Sequence, residues 1–112
     1  MELELVNGTL SIDKKNVSLP EKVKQVLEYQ GLIIVVLFPK GSEDNNVWAL
    51  NAAGEVVWKV PVADLPGSRF NYYSGAVLFQ DKLRLFHQED RSYFVNPVDG
   101  TIKRADDSGR PW

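Results

Sequence analysis

Polar and apolar positions alternate along this chain in short runs, and nearly every run ends at a turn signal. The clearest case is Glu2-Leu3-Glu4-Leu5-Val6, then Asn7-Gly8, then Thr9-Leu10-Ser11-Ile12. Asn-Gly is the favoured pair for a two-residue type I′ turn, because both central residues need φ > 0. That turn sets Val6 opposite Thr9, Leu5 opposite Leu10 and Leu3 opposite Ile12. Leu3, Leu5, Leu10 and Ile12 then share one face, and Glu2, Glu4 and Ser11 take the other. Turn chemistry and alternation specify the same hairpin.

The next segment predicts the one candidate helix. Ser18-Leu19-Pro20-Glu21 has the spacing of a capping box, with Pro20 tolerated in the first turn. Val23, Val26 and Leu27 follow at helical spacing, and Gly31 can end the element. An extended strand is the rival, since Val23 and Val26 are β-branched. Leu32 to Phe38 is an unbroken apolar run closed by Pro39, the mark of a strand covered on both faces. Residues 40–46 read as a polar loop.

A second hairpin runs from Val47 to Val60 around Ala52-Ala53-Gly54, with Gly54 left-handed. This register sets Leu50 opposite Val56 and Trp48 opposite Trp58, a cross-strand indole pair. Residues 61–75 lack a clean period. Strands then resume over 76–80, 83–87 and 92–96, with a tight Asp81-Lys82 turn between the first two. A reverse turn at Pro97-Val98-Asp99-Gly100 leads into Thr101 to Arg104. The expectation is an all-β fold, with at most that one short helix. It is an antiparallel meander of about nine strands in a single domain over 1–104, with a frayed tail over 105–112.

Two segments resemble each other: Val47 to Trp58, and Tyr93 to Lys103. Both run aromatic, apolar, Asn (Asn51 and Asn96), a turn with a late Gly (Gly54 and Gly100), then an alternating strand. The two glycines lie 46 residues apart, near the ~40–45-residue period of a propeller blade. The pattern resembles the outer hairpin of quinoprotein-like (PQQ-type) β-propeller repeats. Asn stands where those repeats carry Asp, and Trp58 has no aromatic counterpart in the second copy. The resemblance is to a hairpin type and implies no cofactor site. A propeller needs about four blades or more, beyond what one such chain holds. Closure as a sandwich or barrel-like sheet is therefore expected over a ring shared between copies. The two open edges of a meander nevertheless favour a homodimer or small ring.

Composition narrows the chemistry. The chain has 112 residues, a formal net charge of −2 and no cysteine. Disulfides, thiolate zinc sites and thiol nucleophiles are excluded, and the absence of net positive charge argues against nucleic acid as the main partner. No signal-peptide pattern or membrane-length apolar run occurs, so a cytoplasmic location is expected. Asn7-Gly8-Thr9 and Asn16-Val17-Ser18 match the glycosylation triplet and are read as chance. His87 is the only histidine and stands beside a turn. The acidic pairs Glu43-Asp44, Glu89-Asp90 and Asp106-Asp107 all fall in expected turns. None forms a calcium loop, a phosphate cradle or a recognisable catalytic set.

Catalytic, cofactor and metal residues are thus read as none. The remaining candidate is a loop carrying Arg69, Tyr72 and Tyr73, which has the composition of an interaction hot spot. The alternative places Phe70 and Tyr72 in a core strand. The function expected is a non-catalytic binding or protein-interaction module, of the immunity-type or adaptor kind in a bacterial cell. A carbohydrate-binding domain using exposed Trp or Tyr is the alternative, and a small hydrolase a more distant one.

Overall fold

The structure of the chain, a computed structural model, describes residues 2–38, 45–61, 72–87 and 92–104. Among these residues there are eleven β-strands, all pairings are antiparallel, and no helix occurs. The strands fall into three sheets, and none closes into a barrel. The N-terminal sheet holds β1 (Leu3–Val6), β2 (Thr9–Ile12) and β3 (Lys15–Asn16). A first meander holds β4 (Val23–Tyr29), β5 (Leu32–Leu37), β6 (Val47–Leu50) and β7 (Val56–Lys59). A second holds β8 (Tyr73–Phe79), β9 (Lys82–His87), β10 (Ser92–Val95) and β11 (Ile102–Arg104).

The first hairpin has the expected register throughout, with Asn7 and Gly8 at φ 51° and 80°. Segment 23–29 is a strand, and the helix expected there does not form. The turn residues Gln30 and Gly31 both take positive φ, as a type I′ hairpin requires, and fold β4 directly onto β5 with Tyr29 opposite Leu32. Pairing a β-branched segment with the apolar β5 outweighs a local helix signal of barely two turns. The turn expected at Asp81-Lys82 is one residue earlier, at Gln80-Asp81.

The sheets stack face to face, with the first meander in the middle. One core lies between the N-terminal sheet and the first meander, and includes Leu10, Ile12, Ile33, Val35, Leu37 and Leu50. The other lies between the two meanders, and includes Ile34, Val36, Ala49, Trp58, Tyr73, Leu83, Leu85 and Tyr93. Alternate residues of β5 therefore serve opposite cores, which is the two-sided burial its apolar run predicts.

The expected Trp48–Trp58 pair is corrected by a bulge. Leu50 faces Val56 as expected, but Ala49 then faces Trp58 and Trp48 faces Lys59. Val57 is the extra residue, and it moves the two indoles to opposite faces. Trp58 enters the core between the meanders and donates from Nε1 to Pro97 O at 2.9 Å. Trp48 packs against the other core, with the Lys59 ammonium 4.1 Å from its ring centre.

The two meanders repeat each other. Each begins with a bulge at its N-terminal end, between Val23 and Gln25 in β4 and between Tyr73 and Gly75 in β8. Each then makes a two-residue turn with positive φ, at Gln30-Gly31 and at Gln80-Asp81. Each ends in a hairpin whose loop is organised by an asparagine. Asn51 Oδ1 accepts from Ala53 N at 2.9 Å, and Asn96 Oδ1 accepts from Val98 N at 2.9 Å. Both loops then reach a left-handed glycine, Gly54 and Gly100. The likeness read between the two hairpins extends over two four-stranded sheets.

Candidate interaction face

Of the three residues chosen from sequence, two are described, and one of these is a core residue. Arg69 lies outside the described residues. Tyr72 is half-buried, while Tyr73 is 1% exposed and lies in the core between the meanders. The Tyr73 hydroxyl donates to Pro61 O at 2.8 Å, and its ring meets Tyr93 edge-on. Burial pushes its phenol well above the usual tyrosine range, with Tyr93 adding to the shift. The bulge at the start of β8 puts Tyr73 inside in place of Tyr72. His87 ends β9 opposite Tyr73, and its side chain lies outside the described part. The three acidic pairs also lie outside the described residues. Among those described, no three His, Asp or Glu side chains are grouped to hold a metal ion.

A different surface emerges from the pairing of β8 to β11. Leu83, Leu85, Tyr93 and Val95 point into the core, so the intervening residues point the other way. Register then sets Val77 beside Arg84, Arg84 beside Phe94, and Phe94 beside Lys103. The outer face thus carries Lys82, Arg84, Phe86, Phe94 and Lys103. The Lys82 ammonium lies 5.6 Å from the Phe94 ring centre, and the Arg84 guanidinium 5.5 Å from that of Phe86. No Asp or Glu occurs in any of these four strands. Asp81 and Asp99 stand in the adjoining turns.

Arg84 is held firmly on this face. Its Nη2 donates to Ser92 Oγ at 2.9 Å, while its Nε is buried without a hydrogen-bond partner. An unmet donor on a buried cation is costly. Beside the face, at the turn end of the sheet, lies a cavity of about 390 Å³ lined in part by Tyr29, Lys82, Phe94 and Lys103. Aromatic and cationic side chains of this kind recognise anionic, partly apolar surfaces. The sequence signal was the Lys82-Leu83-Arg84-Leu85-Phe86 alternation, which puts cations on the face away from the core.

The chain belongs to the family described as Domain of unknown function (DUF7957), whose match spans residues 1–95. Nothing among curated proteins or solved structures matches it.

Proposed function

We propose that the protein is a non-catalytic protein-interaction module that binds through the outer face of the second meander. One observation carries this reading: a sheet face with three cations, two phenylalanines and no strand carboxylate. A face that only needed to be soluble would mix charge signs. The carbohydrate reading loses its main side chains, because Trp58 and Tyr73 are core residues and Trp48 is half-buried under Lys59. The finer reading of the two meanders as propeller-like blades is also proposed. Its support is their shared bulge, turn and loop-asparagine positions.

Amine-reactive cross-linking in the native cell tests the binding face. Cross-links to a partner should concentrate at Lys82 and Lys103. Partner cross-links that involve neither Lys82 nor Lys103 would refute the assignment.

A further inference from the structure

The stacking of sheets within the chain has two ends, and the strand residues that face outward there carry opposite charge. At one end is the outer face of the second meander, with Lys82, Arg84 and Lys103. At the other is the outer face of the N-terminal sheet. Leu10 and Ile12 of that sheet face the core, so Glu4, Ser11 and Asn16, which are register partners, face away. Glu2 and Asp13 extend the same row: Asp13 N donates to Glu2 O at 2.8 Å, and Glu2 N to Asp13 Oδ1 at 2.7 Å. Glu2, Glu4 and Asp13 are all exposed, as are Lys14, which shares the turn with Asp13, and Lys15, whose register partner Ile12 faces the core.

We infer that the occupant of the basic face is the acidic N-terminal sheet of a second copy of this chain, stacked head to tail. This rests on the reading of the basic face as an interaction surface and names its partner. Charge complementarity is the first argument, three carboxylates against three cations. Continuity is the second. Arg84 occupies in β9 the place Ile34 has in β5, and Ile34 packs against the next sheet. A further sheet on Arg84 would repeat the face-to-face packing already used twice inside the chain. Head-to-tail contacts close only as rings, otherwise they grow as filaments. Three sheets from each of two chains give six, within the range of about four to eight that radial stacks of sheets adopt. The expected assembly is a closed ring of two chains.

Charge-swapped variants test it by light scattering at tens of micromolar protein. The wild type should have the mass of two chains and dissociate as salt is raised. Glu2→Lys with Glu4→Lys in one variant, and Lys82→Glu with Lys103→Glu in another, should each weaken self-association at least tenfold. Mixed one to one, the two variants should pair again, because both junctions of the ring then regain opposite charges. Circular dichroism separates misfolding from lost association, and the salt dependence of the wild type needs no variant. A monomeric wild type, a salt-insensitive dimer or a mixture that fails to pair would overturn the proposal. So would a monomer whose basic face is covered by its own Asp106-Asp107 segment or bound to a different acidic protein. In that last case the interaction-module reading survives and only the second copy is lost.

Discussion

The two meanders share a plan and differ in what surrounds them. In β5, Ile33, Val35 and Leu37 serve one core while Ile34 and Val36 serve the other. Fifty residues later, β9 keeps the first set as Leu83 and Leu85 but replaces the second with Arg84 and Phe86. The backbone is indifferent to this change, since bulges and turns keep their positions. Topology here is set by turns and by one apolar face. The second face is open to other uses, and in the second meander it has become a cationic, aromatic surface.

Substitutions in the contacts between the two meanders measure how far each depends on the other. The largest loss is expected for Trp58→Ala, which empties a core position between the meanders and should cost about 3–5 kcal/mol in chemical unfolding. A loss below about 1 kcal/mol would mean the sheets are not locked together there. Asn46→Ala should follow at about 3 kcal/mol. Its buried amide donates to Leu37 O at 2.9 Å and Tyr73 O at 2.8 Å and accepts from Tyr73 N at 2.9 Å, and orphaning buried groups costs about 1–3 kcal/mol each. Next come the turn glycines. A Cβ on Gly100 would stand 2.6 Å from Trp58, whereas one on Gly31 meets nothing within 4 Å. Both have positive φ, so Gly31→Ala should cost about 1–2 kcal/mol, and Gly100→Ala clearly more. Equal losses would show that the Trp58–Gly100 packing is not tight. The smallest effect belongs to Asp99, whose carboxyl is held below its usual range by hydrogen bonds from the Thr101 backbone and hydroxyl. Its contribution is present above the ordinary carboxylate pKa and is lost as pH falls through the lowered value. An NMR titration placing Asp99 at or above the ordinary midpoint would contradict this, and Asp99→Asn should slightly flatten the acid limb of stability.

Much of this architecture was legible where local chemistry and alternation agree. Asn7-Gly8 set one register, and the Leu32–Phe38 run marked the strand buried on both sides. Bulges were not legible, because an extra residue leaves the composition of a strand unchanged while reversing its faces. The bulge at Val57 separated the two indoles, and that between Tyr73 and Gly75 sent Tyr73 inward. The misread helix has a different cause. Ser18 to Glu21 does carry a start signal, but short elements are decided by their partners, and β5 was available. The basic face could have been read from β9 alone, though joining it to Phe94 and Lys103 required the pairing of β10 and β11.

The amides that tie the meanders together also close a route to aggregation. Along the outer edge of β8, Asn46 occupies both backbone groups of Tyr73, and Lys24 donates to Ser74 O at 2.7 Å. The Gln25 amide donates to Ala76 O and accepts from Ala76 N at 3.0 Å, as a neighbouring peptide group would. Unpaired edge groups are templates for foreign strands. Here the first half of the edge is filled by side chains of fixed length, which cannot propagate as a strand does. Another chain finds no ladder to extend at that end of β8.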